Sequence, residues 1–150
     1  MNASTPRTLK LLTASTILYV LIALFAGLVA IVENLPSEFG GSSTGLPVTQ
    51  DFLYGMGTAI SPPLYTVNIQ LVLLIVALRK DVWGTIGVLG LALIGLFTFI
   101  GALSEPINRK IFNPATFDPL KALLVAAMIL LPLSIVVFGL LEWARRRKER

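Results

Sequence analysis

The sequence predicts an all-α integral membrane protein, a four-helix transmembrane bundle running up-down-up-down. Three observations predict it. Of 150 residues, 55% are hydrophobic and 13% charged, and a soluble domain of this size needs a wetter surface than that composition supplies. The apolar residues gather into four long blocks, 11–32, 61–78, 82–103 and 119–141, on the scale needed to cross a hydrocarbon core of about 30 Å at about 1.5 Å per residue. Finally, the turn Arg79-Lys80-Asp81 between the second and third blocks is so short that these two helices must be antiparallel neighbours.

The first block, 11–32, carries no charge and follows a polar start holding Arg7 and Lys10. Its apolar run is too long for a signal peptide and no clean A-x-A site follows it, so it is expected to stay on as a span. The first external loop, about 27 residues beginning at Glu33, contains the flexible tract GGSSTG. Without cysteine it has too few residues for a core of its own. Its later part, TQDFLYGMGTAI at 49–60, is apolar enough for a short interfacial helix or lid, with Thr49 as the expected cap.

Ser61-Pro62-Pro63 is expected to open the second span, since proline is tolerated in a first helical turn. The third span, 82–103, is rich in glycine. After it, SEPINRKIFNPATFDP reads as a surface helix starting at Pro106 and broken at Asn113-Pro114. Thr116 or Asp118, followed by Pro119, is expected to cap the fourth span. Pro132 sits near the middle of that span, where a kink is expected. The basic tail, 144–150, follows. The whole chain reads as one transmembrane domain.

Charge placement predicts topology. Nine of the twelve Lys and Arg fall at the N-terminus, the 79–81 turn and the tail; Arg109, Lys110 and Lys121 fall on the other side. The positive-inside rule puts both termini and the turn in the cytoplasm. Trp83 and Trp143 mark that boundary, and Tyr54, Tyr65, Phe112 and Phe117 mark the other. The expected location is the cytoplasmic membrane of a bacterium or archaeon, with the bilayer as first partner and anionic headgroups at the tail. The net charge of +4 does not point to nucleic acid, because five cations crowd the last six residues and no basic face with interleaved aromatics occurs.

The chain has no cysteine and no histidine. That removes disulfides, His-based acid–base chemistry, nucleophilic triads and the usual zinc and haem ligands. No phosphate loop, dinucleotide fingerprint or metal cluster occurs, so neither enzyme activity nor a cofactor is expected.

The candidate residues are few. Gly84, Gly87, Gly95 and Ala102 share a face of the third span with Thr98, either for close helix packing or as a wall beside a ligand. Asn68 and Gln70 lie on opposite sides of the second span, so both sides are expected to meet protein. Tyr19 lies mid-membrane and its hydroxyl needs a partner. Glu33 and Glu105, at the outer ends of spans one and three, are expected near Arg109, Asp118 and Lys121 at the mouth of the bundle. This mouth, with Asn68, Gln70 and Thr98, is the candidate ligand or interaction site.

Three functions fit these features. The first is a non-enzymatic accessory or scaffold subunit of a membrane complex, paired with other subunits or with itself. The second is a binder or carrier of a lipid-like or small organic molecule in a polar-lined cavity of the outer half. The third is a small proton-coupled exporter, disfavoured because no carboxylate sits mid-span.

Overall fold

The computed structural model describes residues 5–38, 42–107, 111, 113 and 117–149. Five helices account for most of them: α1 (Arg7–Val32), α2 (Val48–Tyr54), α3 (Leu64–Ala77), α4 (Val82–Ser104) and α5 (Pro119–Lys148). The described residues contain no strand beyond the isolated bridges Pro36–Thr58 and Thr58–Ser61. α1, α4 and α5 are long and apolar enough to cross a membrane, which fits a membrane protein. α3 is shorter, 14 residues, or roughly 21 Å of helix.

The four longer helices neighbour one another in the order α1, α3, α4, α5 and back to α1, with α2 resting on α1 and α3. Tyr19, Val67, Leu74, Val88, Leu91 and Ile135 meet in the core. Leucine, isoleucine and phenylalanine cover the outside, as a lipid-facing surface requires.

Glycine sets the spacing of the α3–α4 hairpin. A β-carbon on Gly84 would fall 1.9 Å from the carbonyl oxygen of Arg79, and one on Gly87 would fall 2.5 Å from the amide of Ala77. At Gly90 the nearest obstacle is a Leu73 side chain, and at Gly101 nothing lies within 4 Å. The two backbones touch at the turn and the hairpin loosens away from it. Gly95 serves a different neighbour, packing on Pro132 and Ile135 of α5. The expected glycine face is therefore shared between two interfaces.

Two caps differ in outcome. Asp118 accepts from the amides of Leu120 and Lys121 and starts α5 as expected. α2 begins two residues earlier than a Thr49 cap would place it, after Pro47, and no side chain caps it. Pro132 lies buried inside α5. The surface helix expected after Pro106 lies largely outside the described residues.

The first loop does more than cover the helix ends. α2 presses Phe52 onto Gly27 of α1, where a β-carbon would fall 2.4 Å from the ring. Asp51, fully buried, accepts from the Thr44 hydroxyl and from the Met56 amide at 3.3 Å, which ties the loop together. The chain then runs through 55–63 without helix. Ser61 donates to the carbonyl of Ala23 at 2.8 Å. Ala23 lies well inside α1, which continues to Val32, so this contact sits roughly 14 Å below the helix end at about 1.5 Å per residue. The segment re-enters the bundle, and this non-helical stretch stands where further turns at the N-terminal end of α3 would otherwise lie.

Candidate functional site

The re-entrant segment, the C-terminal half of α4, α3 and α5 enclose a cavity of about 380 Å³. Thr58 to Pro63 form one wall; Ile94, Phe97, Thr98, Gly101 and Ala102 form the facing wall. Tyr19 and Met128 contribute from α1 and α5. Non-helical backbone is tolerated at such depth where it is buried in protein or lines a cavity, and this segment does both. Its amides are partly satisfied locally: Thr58 N–H bonds the Ser61 carbonyl at 2.8 Å and Ala59 N–H bonds the Leu35 carbonyl at 3.3 Å. Gly57 makes the bend at φ +95°.

The cavity is mostly apolar, with a few polar groups at distinct places. Tyr19 is fully buried, and its hydroxyl has no hydrogen-bond partner. Thr98 donates to the carbonyls of Ile94 and Gly95 within its own helix, both at 3.0 Å. Among the described residues, Glu105 is the only charged one of the lining. One of its oxygens accepts from the Ser37 hydroxyl at 2.6 Å, the other from the Glu38 amide at 3.2 Å. Partial burial pushes its carboxyl above the ordinary carboxylate range. Tyr65, Ile69 and Phe97, which line the cavity, are also exposed on the outer surface of the α3–α4 pair, Phe97 by 64%. The cavity thus opens sideways where that pair loosens.

The structure distributes the expected site residues unevenly. Thr98 and Glu105 line the cavity, with Ala102 between them. Glu33 belongs to a different group: Lys121 bridges it at 2.5 Å and Asp118 at 3.0 Å. Gln70 is fully buried on the core face of α3, and neither amide atom has a partner. Asn68 is exposed, contrary to the expectation that both sides of α3 would meet protein. The α3 helix has neighbours on only part of its circumference. Arg109 lies outside the described residues.

Sequence reasoning missed a second polar centre, at the opposite end of the bundle. Glu142 is fully buried. It accepts from the Thr8 hydroxyl at 2.5 Å, from Arg145 at 2.6 and 2.9 Å, and from Arg146 at 2.8 Å. Arg146 continues to the carbonyls of Ala77 at 2.8 Å and Arg79 at 3.1 Å. This centre fastens α1, α3 and α5 together. The signal in the sequence was the spacing of Glu142 to Arg145 and Arg146, three and four residues on, which marks one helical face.

No known protein family, curated protein or solved structure matches this chain.

Proposed function

We propose that this chain is a four-span membrane protein that binds a small amphipathic organic molecule in the cavity beside the re-entrant segment. The second crossing is made jointly by α3 and the stretch 55–63. Both termini and the 79–81 turn lie on the cytoplasmic side, a reading supported by the nine cations at that end and by the grouping of Thr8, Arg79, Glu142 and Arg146 there.

One observation carries the binding reading. A bundle that only scaffolds other subunits gains from filling its interior with helix. This chain instead breaks a helix, holds extended backbone at the depth of Ala23 through Ser61, and leaves a cavity of about 380 Å³ beside it. Apolar cavities with a few placed polar groups are the usual form of small-molecule sites, and about 300 Å³ and upward suffices. The side opening at Phe97 lets the molecule come from the bilayer.

Native mass spectrometry of the protein extracted in nanodiscs from its own membrane tests the reading. The expected result is a discrete small-molecule adduct that disappears in Gly101→Phe. Gly101 lines the cavity and has open space around its would-be β-carbon, so this change fills the site without displacing backbone. A bare wild-type protein would overturn the reading. A stoichiometric partner polypeptide in place of the adduct would transfer the assignment to an accessory subunit.

A further inference from the structure

We propose that the molecule held in the cavity is a small organic cation, an amine or ammonium whose apolar body lies among aromatic rings and whose charge rests at Glu105. The inference deepens the binding reading and rests on it.

Charge complementarity comes first. Among the described residues of the cavity wall, Glu105 is the only ionisable group with a formal charge at neutral pH, and its described partners, Ser37 and the Glu38 amide, are neutral donors. Lys121, the described cation at this end of the bundle, is spent on Glu33 and Asp118. A partly buried carboxylate is costly without a counter-charge. Each of its oxygens has taken one donor and keeps a further lone-pair site. A bound ammonium supplies both the charge and the remaining hydrogen bonds.

The walls agree with this chemistry. Tyr65 and Phe97 present rings at the side opening; a cation near an aromatic face is attracted by its quadrupole, more strongly where water is excluded. An anionic ligand would meet Glu105 as a like charge, with no described cation on the lining to offset it.

Three probes of one shape separate the possibilities: phenylbutylamine, phenylbutanol and phenylbutyrate, titrated calorimetrically into protein in zwitterionic nanodiscs, with empty nanodiscs as the reference. The amine is expected to bind about tenfold tighter than the alcohol, and the carboxylate weakest. Glu105→Gln is expected to bring the amine down to the alcohol while the alcohol is unchanged; Gly101→Phe is expected to abolish both. Equal binding of amine and alcohol to the wild-type protein would overturn the cation inference and leave the cavity reading standing; it would mean that Glu105 is neutralised by a proton. An amine preference that survives in Glu105→Gln would also overturn it. Failure of all three probes to bind above empty nanodiscs would overturn the inference and the binding reading together.

Discussion

Arg146 of α5 donates from Nη2 to the carbonyl oxygen of Ala77, the last residue of α3, at 2.8 Å. The last carbonyls of a helix have no partner within it and carry the negative end of its dipole. A guanidinium from a neighbouring helix satisfies both needs. The same side chain holds Glu142, and Glu142 holds Thr8, so one charged chain ties three helix ends. Gly84 makes the reach possible, because a β-carbon there would lie 2.5 Å from Arg146 Nη1.

Removing the carboxylate from this centre should therefore be expensive. Glu142→Ala takes the shared acceptor from Arg145 and Arg146; breaking a fully buried pair costs about 3–5 kcal/mol, and because Arg145 is partly exposed and keeps Glu149 the loss here should fall toward the lower end of that range. Arg146→Met should cost less, since Arg145 still pairs with Glu142. Thermal unfolding at fixed detergent concentration checks both. An unchanged midpoint in Glu142→Ala would mean that the cluster is solvated and merely anchors the tail.

Glycine substitutions separate packing from open space along α4. Gly87→Ala puts a methyl against the Ala77 backbone, which cannot move aside as a side chain can, and should destabilise by about 1–3 kcal/mol. Gly101→Ala, with nothing within 4 Å, should be neutral or slightly stabilising through helix propensity. Equal losses at the two positions would show that α3 and α4 do not loosen away from their turn.

The parts of this architecture that were legible in the sequence are those set by local pattern. Apolar blocks, the Asp118 cap and the tight turn all depend on residues close together in the chain. The re-entrant segment was not legible, because Ser61-Pro62-Pro63 looks locally like an ordinary helix start. Its depth is fixed by a bond to Ala23, 38 positions away in the chain. Glu142 was overlooked for a related reason: its arginines are near in sequence, but Thr8, which helps to bury it, is 134 positions away. At the other end of the bundle, the expected single cluster of acids divides, and that division was not legible. Lys121 takes Glu33 and leaves Glu105 to the cavity, a choice set by the geometry of α5 against α1.

Gln70 gives a prediction of opposite sign. Its amide is buried in the core without a partner, and an unsatisfied buried polar group carries a penalty of about 1–3 kcal/mol. Leucine has similar bulk and nothing to satisfy, so Gln70→Leu should raise the unfolding midpoint. A lower midpoint would show that the amide is bonded in the membrane, by water or by a bound molecule, and would extend the polar interior toward the core of α3.

The wall of the cavity depends on Ser61 and Gly57. Ser61→Ala removes the bond to the Ala23 carbonyl, a loss of about 1 kcal/mol, since that carbonyl lies within a helix. Gly57→Ala should cost more, because the residue adopts φ +95° and a β-carbon would fall 2.6 Å from the Ser61 carbonyl. Both changes act on the extended segment and leave the helix interfaces alone. Amide hydrogen exchange should therefore accelerate at Thr58 and Ala59, whose N–H groups bond Ser61 and Leu35, while the core of α1 and α4 keeps its protection. If exchange rises uniformly across the bundle, the segment is a structural strut whose loss unfolds the whole. If it rises only at 57–61, the wall is a separable element laid against three long helices, as a ligand-holding segment requires.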